Sequence, residues 1–361
     1  MQLHDNWCLE NLSCHDRGYE TMACYAVELA HVSNLASKQI KASTIRLYLR
    51  QVASFLLLFD GCARDYTKDP SDPQKWHPRI TATLNELTRW EQMPDKKEPY
   101  TPSMLDWQRD HASSFASSSI EAAIADWAEL GLFAGLRGGE WCQPSQHSGL
   151  SHYTLAIDGS SLTFTLNDFT FMDNRGGVLS LSAVLRDPSK AMRVRVTWRW
   201  QKNQNNGESQ VYSRTHATME RNAVAPCIRI VTRFVTLLGP SASHLPVAIF
   251  RDHTGQTRYI WRDLAERHIR QAASAVYSIP TRSKTLLAWT AHSFRIGAAV
   301  ILHDGGQPGA FIQKKLRWRS NSFMEYLRNT LRTAATHLHA VNAAVTADRS
   351  PDGPAPFIRT T

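Results

Sequence analysis

The apolar residues of this chain change their spacing between about residues 152 and 212. Apolar and polar residues alternate over Arg193–Trp200, which is the period of a half-buried β-strand. A turn containing Asn and Gly, Gln201–Gly207, follows, and the chain returns over Gln210–Tyr212. Because Asn and Gly tolerate positive φ, this segment predicts a β-hairpin with Lys202 near its tip. Shorter alternations predict two further strands, at Leu162–Leu166 and Val178–Leu181.

On both sides of this stretch, apolar residues recur at intervals of three and four, as in helices that bury one face. The chain is therefore predicted to be mainly α with a small antiparallel β-sheet, an α+β fold. We expect helices over residues 17–35, from Ser43 as N-cap to Phe59, from Pro78 to an inward-turned Trp90, over Ser119–Gly131, from Pro226 to Leu238, over Trp261–Tyr277, from His292 to Gly305, from Pro308 onward, and from Met324 to Val345.

A charged segment without apolar periodicity, Met93–Pro102, separates two parts of the chain. Pro94 and Pro99 bracket its charged residues, as is typical of a linker between domains. We therefore predict a helical bundle over residues 1–98 and a second domain over residues 103–349. The Pro- and Gly-containing tail, residues 350–361, is expected to be loose.

The 361 residues include 41 Lys and Arg against 32 Asp and Glu, which gives a net charge of +9 and a pI of about 9.3. This surplus fits a face that binds phosphates, and it also fits a merely basic soluble protein. Lys41, Arg46 and Arg50 lie beside the apolar stripe of the Ser43–Phe59 helix. They are candidates for contact with a nucleic acid, and a solvated charged face is the alternative.

Membrane segments and metal sites are not indicated by the sequence. No apolar run reaches the roughly 20 residues of a membrane span, and the N-terminus lacks the layout of a signal peptide. The six cysteines form no CxxC pair, which disfavours zinc and fits reduced thiols. We expect a soluble intracellular protein that uses no metal.

Two polar motifs lie far apart in the chain. His292 and Arg295 are three residues apart in the motif AHSFRIG, so their polar ends can converge on one anion. Arg137 and Glu140 lie in the motif GLRGGE. An arginine fork suits a phosphate because it is always charged and can donate two parallel hydrogen bonds.

The other candidate residues follow the same logic. Tyr326 begins the last helical pattern, and its phenolate can attack phosphorus. Trp318 precedes Tyr326 by 8 residues in the basic motif LRWR, and His292 precedes it by 34. Lys202, on the predicted hairpin, can protonate a leaving oxygen, with Lys190 as its rival.

These residues, in this order, resemble the active site of the tyrosine recombinases, the family of phage integrases and site-specific recombinases. The stretch RWRSNSFMEYLR is similar to recombinases of eukaryotic mobile elements of the Crypton type. The resemblance implies an N-terminal DNA-clamping domain and a catalytic domain with these roles: phosphate binding by Arg137, Arg295 and His292, support by Glu140, protonation of the leaving oxygen by Lys202, a contact to the phosphate or a buttress from Trp318, and nucleophilic attack by Tyr326.

The implied activity is the cutting and rejoining of DNA through a 3′-phosphotyrosine, without a cofactor or metal. The implied partners are double-stranded DNA and further copies of the chain, as a dimer on one site and a tetramer in synapsis. The terminal helix either packs on its own domain or, as the family implies, docks on a neighbouring protomer. The protein would act on DNA, in the nucleus if the host is eukaryotic.

Two other functions fit the same residues. One is a relaxing activity like that of type IB topoisomerases, which uses similar chemistry without synapsis. The other is a catalytically silent DNA-binding protein derived from a recombinase. A covalent adduct with DNA that depends on Tyr326 would distinguish the recombinase and the topoisomerase-like enzyme from the silent DNA-binding protein.

Overall fold

The computed structural model describes residues 18–35, 40–59, 64–91, 96–146, 149–201, 206–215 and 221–327. The chain divides into two compact units, Met1–Asp95 and Lys96–Thr361. Each unit buries its own cluster of apolar side chains. The predicted tail, and the predicted terminal helix beyond Leu327, lie outside the described residues.

The first unit contains three helices: α1 (Gly18–Leu35), α2 (Ala42–Phe59) and α3 (Pro78–Trp90). Helix α2 begins before Ser43, so Ser43 is not its N-cap. The inward orientation predicted for Trp90 is wrong, because this last residue of α3 is 71% exposed. The core of the unit comes from the predicted stripes and includes Met22, Ala26, Ile45, Leu49, Ile80 and Leu84.

A short antiparallel hairpin, β1 (Lys68–Asp69) and β2 (Asp72–Trp76), lies where the sequence predicted only a loop. Its turn is closed by the Asp69 carboxylate, which accepts hydrogen bonds from the backbone and hydroxyl of Ser71. Such a local turn leaves no apolar period to detect.

The second unit is mainly helical. Helix α5 is buried along most of its length and follows its N-cap Ser119, whose hydroxyl accepts from the Ala122 amide. The helices of this unit are α4 (Pro102–Ala112), α5 (Ile120–Ala134), α6 (Gly138–Trp141), α7 (Leu181–Arg186), α8 (Val224–Leu238), α9 (Arg262–Tyr277), α10 (Ser293–Asp304), α11 (Gly309–Lys315) and α12 (Met324–Leu327).

A three-stranded antiparallel sheet in the order β3–β4–β5 packs against these helices. Its strands are β3 (Phe169–Met172), β4 (Arg193–Trp198) and β5 (Glu208–Ser213), and Val194 pairs with Phe171 on one side and Tyr212 on the other. The predicted hairpin is thus confirmed, although Lys202, which the sequence predicted near its tip, lies outside the described residues. A second small hairpin joins β6 (Ile249–Arg251) to β7 (Thr257–Tyr259).

The strands predicted at Leu162–Leu166 and Val178–Leu181 are wrong. In the first, the Asp168 carboxylate accepts from the backbone and hydroxyl of Thr165 and closes a 3-10 turn before β3 begins. In the second, Ser180 caps α7 by accepting from the Ala183 amide. Side chain-to-backbone hydrogen bonds therefore override the alternating pattern at both places. Mainly α with small antiparallel sheets remains the correct fold class.

Candidate active site

Arg137 lies where α5 ends and the short helix α6 begins. Gly135 closes α5 in the left-handed region, with φ 57°, and turns the chain toward Arg137. The carboxylate of Glu140, one turn further on, accepts from the Arg137 backbone amide at 2.9 Å and from its guanidinium at 3.0 Å. Two contacts to one carboxylate fix both the backbone and the side chain of Arg137.

Glu140 also binds two groups from distant parts of the chain. Its Oε2 accepts from the indole Nε1 of Trp198, at the end of β4, at 3.1 Å and from Arg317 at 3.2 Å. This buried carboxylate therefore joins the Arg137 turn to the strand that leads to the Lys202 hairpin. The sequence predicted Glu140 as a supporting residue but not these partners.

Arg317 is a residue of the site that the sequence analysis missed. Its side chain is fully buried, with the guanidinium 3.6 Å from the centre of the Trp198 ring and donating to the Ala134 carbonyl at 3.0 Å. Its backbone has φ 57°, a conformation that costs a non-glycine residue about 1 kcal/mol or more. The available sequence signal is the basic LRWR motif directly after α11.

Arg295, on the first turn of α10, is 1% exposed. Its guanidinium donates to the Gly135 carbonyl at 2.9 Å and to the Arg317 carbonyl at 3.2 Å, and it stacks 4.3 Å from the centre of the Trp318 ring. Burial, together with the nearby charges of Arg137 and Arg317, lowers the pKa of Arg295. Because arginine starts from a very high pKa, it remains a cation at neutral pH.

His292 and Tyr326 meet in this cluster. The imidazole Nε2 lies 3.2 Å from the Tyr326 hydroxyl oxygen, within hydrogen-bond distance. Burial, and then the charges of Arg295 and Arg137, lower the pKa of His292 to about 4, so the ring is neutral at neutral pH. Burial and the nearby Glu325 raise the pKa of Tyr326, although Arg295 opposes this shift.

Trp318 forms the wall behind Tyr326. Its ring lies 5.9 Å from that of Tyr326 and 6.2 Å from that of Phe323. Its indole Nε1 is buried without a hydrogen-bond partner among the described residues. The ring therefore packs between Arg295 and Tyr326. Its indole N–H is a hydrogen-bond donor that the described residues leave unused.

Six of the seven predicted catalytic and supporting residues thus belong to one network of contacts: Arg137, Glu140, His292, Arg295, Trp318 and Tyr326. Arg137, Arg295 and Arg317 bring positive charge to this network. Glu140 is the carboxylate that contacts two of them. The cluster is consequently suited to an anion.

A cavity of about 680 Å³ opens beside this network. It is lined by Arg137, Glu140 and His292 from the predicted set, and also by Trp200, Arg262 and Glu266. Tyr326 and Arg295 do not line it.

The remaining candidates lie elsewhere. Lys202 is outside the described residues. Lys190 is exposed and lies 3.7 Å from the Asp187 carboxylate. In the first unit, the guanidinium groups of Arg46 and Arg50 lie over the Trp76 ring, 5.2 and 5.4 Å from its centre. The Lys41 carbonyl accepts a hydrogen bond from the Thr44 amide at 2.8 Å.

The described part of the chain contains neither a metal-binding cluster nor a membrane-spanning helix. No group of three or more His, Cys, Asp or Glu side chains is arranged to hold a metal ion there. Within the same residues, no helix is both long and apolar enough to cross a membrane.

Comparisons with known proteins give structural neighbours only. No protein-family model and no curated protein sequence matches the chain. A solved structure of the Tn1549 transposon integrase with a circular intermediate DNA is 12% identical, covers 88% of this chain and 85% of its own, and has a TM-score of 0.44. Another, with transposon right end DNA, is 12% identical, covers 94% of this chain and 98% of its own, and has a TM-score of 0.42. Both solved structures are similar to this chain over most of its length, at low sequence identity.

Proposed function

We propose that this protein is a site-specific DNA recombinase or integrase that cuts and rejoins DNA through a 3′-phosphotyrosine. The observation that carries the proposal is the contact at 3.2 Å between the Tyr326 hydroxyl and the neutral His292, next to buried Arg295. The AHSFRIG motif thereby brings a base and a fixed cation to the nucleophile, which lies after the LRWR motif.

Neutral His292 takes the proton as the Tyr326 oxygen attacks phosphorus. This base is needed because burial raises the pKa of Tyr326 and so disfavours free phenolate. The new bond joins the tyrosine oxygen to phosphorus, and the bond from phosphorus to the 5′ oxygen breaks. Lys202 is proposed to protonate that departing oxygen, and a 5′ hydroxyl attacks the phosphotyrosine in the reverse step.

Arg137 and Arg295 stabilise the charge that develops on the phosphorus centre. Arg137 is 20% exposed at its side chain, so part of its fork faces the cavity while Glu140 holds the rest. Arg295 is held by two backbone carbonyls and therefore needs no reorganisation when charge develops. Trp318 packs against both Arg295 and Tyr326 and so fixes their positions relative to each other.

The proposed partner is double-stranded DNA, and the protein would act wherever that DNA lies, in the nucleus if the host is eukaryotic. Strand exchange joins two duplexes, so we propose a dimer on each site and a tetramer in synapsis. The first unit would contribute to DNA binding through Arg46, Arg50 and Lys41.

The direct test uses a pool of duplexes with a randomised sequence and one nick, which traps cleaved product as the small fragment diffuses away. We expect the wild-type protein to form an SDS-resistant protein–DNA adduct, and sequencing of the trapped DNA gives the target. Tyr326→Phe lacks only the nucleophilic oxygen and should form none.

An exposed tyrosine on another helix, Tyr277→Phe, serves as the matched control and should retain the adduct. An adduct that survives Tyr326→Phe, or no adduct with wild type, would contradict the proposal. Relaxation of supercoiled plasmid without strand exchange between two trapped sites would instead show a topoisomerase-like activity.

A further inference from the structure

The cavity beside Arg137 contains a second arginine that the proposed chemistry does not use. Arg262, the first residue of α9, is exposed and lines the cavity together with Arg137 and His292. It lies close to the Arg137 turn, because a Cβ added at Gly138 would be 3.7 Å from the Arg262 Nε.

The backbone of Arg262 is fixed to the segment that follows Arg137. The Arg262 amide donates to the Gln143 carbonyl at 2.8 Å, and the Gln143 amide donates to the Ile260 carbonyl at 2.9 Å. Gly138 permits the close approach of Ala291, another residue that lines the cavity, since a Cβ at Gly138 would come within 2.9 Å of the Ala291 Cβ. The position of Arg262 relative to Arg137 is therefore built into the fold.

The charge of Arg262 is not neutralised by its helix. Glu266, one turn further on, lies in the usual position for an ion pair, but its carboxylate binds Arg270 at 2.7 Å and the Ala291 amide at 3.3 Å. Within the described residues, the Arg262 guanidinium has no hydrogen-bond or ion-pair partner. An exposed fork in a cavity that the Arg137 guanidinium also lines is suited to a phosphate.

We propose that Arg262 binds a second phosphate of the DNA strand, adjacent to the phosphate held by Arg137 and Arg295. This inference rests on the proposed function, because that function defines the first phosphate. A neighbouring phosphate carries the same charge before and during the reaction. Arg262 consequently contributes equally to the bound state and the transition state, and it lowers KM without raising kcat.

The test compares Arg262→Gln and Arg262→Lys with the control Arg267→Gln in the full-length protein. Arg267 is an exposed arginine on the same helix that does not line the cavity. The first readout is equilibrium binding to a mixed-sequence 30-bp duplex across a salt series, which needs neither a known target nor cleavage. Each phosphate contact contributes about 0.9 to the slope of log affinity against log salt.

We expect Arg262→Gln to weaken binding about tenfold, as for one charge-assisted hydrogen bond, and to reduce the salt slope by about 0.9. Arg262→Lys retains the charge and should retain the slope. A loss of slope in Arg262→Gln no larger than in Arg267→Gln would overturn the proposal.

The second readout is the rate of adduct formation against DNA concentration, on a duplex recovered from the trapping experiment. Arg262→Gln should raise the half-saturating DNA concentration about tenfold and change the maximal rate less than threefold. This pattern is expected when a contact that stabilises the bound state and the transition state equally is lost. A fall in maximal rate at unchanged salt slope would overturn the proposal, because Arg262 would then act on the chemistry. If wild type forms no Tyr326-dependent adduct but the salt slope still depends on Arg262, the phosphate site stands and the recombinase proposal fails.

Discussion

At the scale of single residues, the site depends on how a few charges are compensated. Glu140 compensates part of the charge of Arg137 and Arg317, while backbone carbonyls hold Arg295. Backbone oxygens satisfy donors without cancelling charge. The cluster therefore keeps the positive potential that a phosphodiester needs.

His292 should make the reaction insensitive to pH near neutrality. Its pKa is lowered to about 4, so the ring stays neutral and able to accept a proton until the pH falls well below the usual histidine range near 6.5. We expect kcat/KM for adduct formation, which reports the free enzyme, to change less than about twofold between pH 5.5 and 7.5. His292→Gln should lower it at every pH.

A halving of kcat/KM near pH 6.5 would contradict this assignment.

The lowered pKa of His292 also makes the stability of the fold depend on pH. The unfolded chain binds the proton first as the pH falls, so the contribution of His292 to folding is lost between about pH 6.5 and pH 4.

Two substitutions at Arg317 distinguish how its backbone conformation and its side chain contribute to the unfolding free energy. Arg317→Gly removes the guanidinium from Glu140 and Trp198 but accepts φ 57° without strain, whereas Arg317→Ala loses the same contacts and keeps the strain. We expect Arg317→Ala to lose about 3 kcal/mol of unfolding free energy, because the buried Glu140 carboxylate then lacks one of its cationic partners. Arg317→Ala should be less stable than Arg317→Gly by about 1 kcal/mol.

Urea denaturation measures both differences. Equal stability of the two variants would show that the backbone at Arg317 is unstrained. Wild-type stability of Arg317→Ala, which keeps the strain, would show that the buried guanidinium contributes nothing.

At the scale of elements, the site is positioned by the close approach of α10 to the chain before α4. Gly297 in α10 makes this possible, because a Cβ there would lie 2.1 Å from the Tyr100 carbonyl oxygen and 3.0 Å from Leu132. Helices α5 and α8 are joined by ion pairs, in which the buried Asp126 carboxylate binds both the partly exposed Arg229 and the buried Arg233. Arg295 is thus carried by a helix held against a rigid centre.

Gly297→Ala should therefore force α10 away from its position. We expect a loss of about 3 kcal/mol of unfolding free energy, as for overpacking against a backbone atom that cannot move aside. Gly139→Ala is the control, since nothing lies within 4 Å of a Cβ at that position. Its stability should change by less than about 1 kcal/mol.

Thermal and urea unfolding check this comparison. If Gly297→Ala is as stable as Gly139→Ala, α10 does not approach the Tyr100 carbonyl as closely as described. The rate of adduct formation should fall in Gly297→Ala together with stability, because Arg295 moves with its helix.

At the scale of the whole molecule, the chain divides between Asp95 and Lys96 into two units with separate cores. The core side chains of the second unit all come from residues after Lys96. We propose that the two units are independent domains, the first for DNA binding and the second for catalysis.

A fragment of residues 96–361 should consequently fold by itself. We expect a cooperative thermal transition by circular dichroism, and weaker DNA binding than the full chain because Arg46, Arg50 and Lys41 are absent. The matched full-length protein with Arg46→Gln and Arg50→Gln should show part of that loss. A fragment without a cooperative transition would contradict the division.

Sequence alone was sufficient for the features that depend on local pattern. The 3.6-residue period predicted most helices, and the alternation in β4 predicted the hairpin, because both follow from which face of an element is buried. The order and types of His292, Arg295, Trp318 and Tyr326 predicted that these side chains act together, and the structure brings them into contact. That they bind a phosphate stays a prediction.

Only the tertiary structure decided what connects these residues. Three contacts each depend on segments more than 50 residues apart being packed together: Arg317 with Glu140, Glu140 with Trp198, and Arg262 with Gly138. A linear pattern carries no record of such approaches, and side chain-to-backbone hydrogen bonds overrode it at Thr165 and Ser180. The sequence determined which chemical groups this protein has, and packing decided that Tyr326 meets a neutral His292, because burial sets both the distance and the pKa.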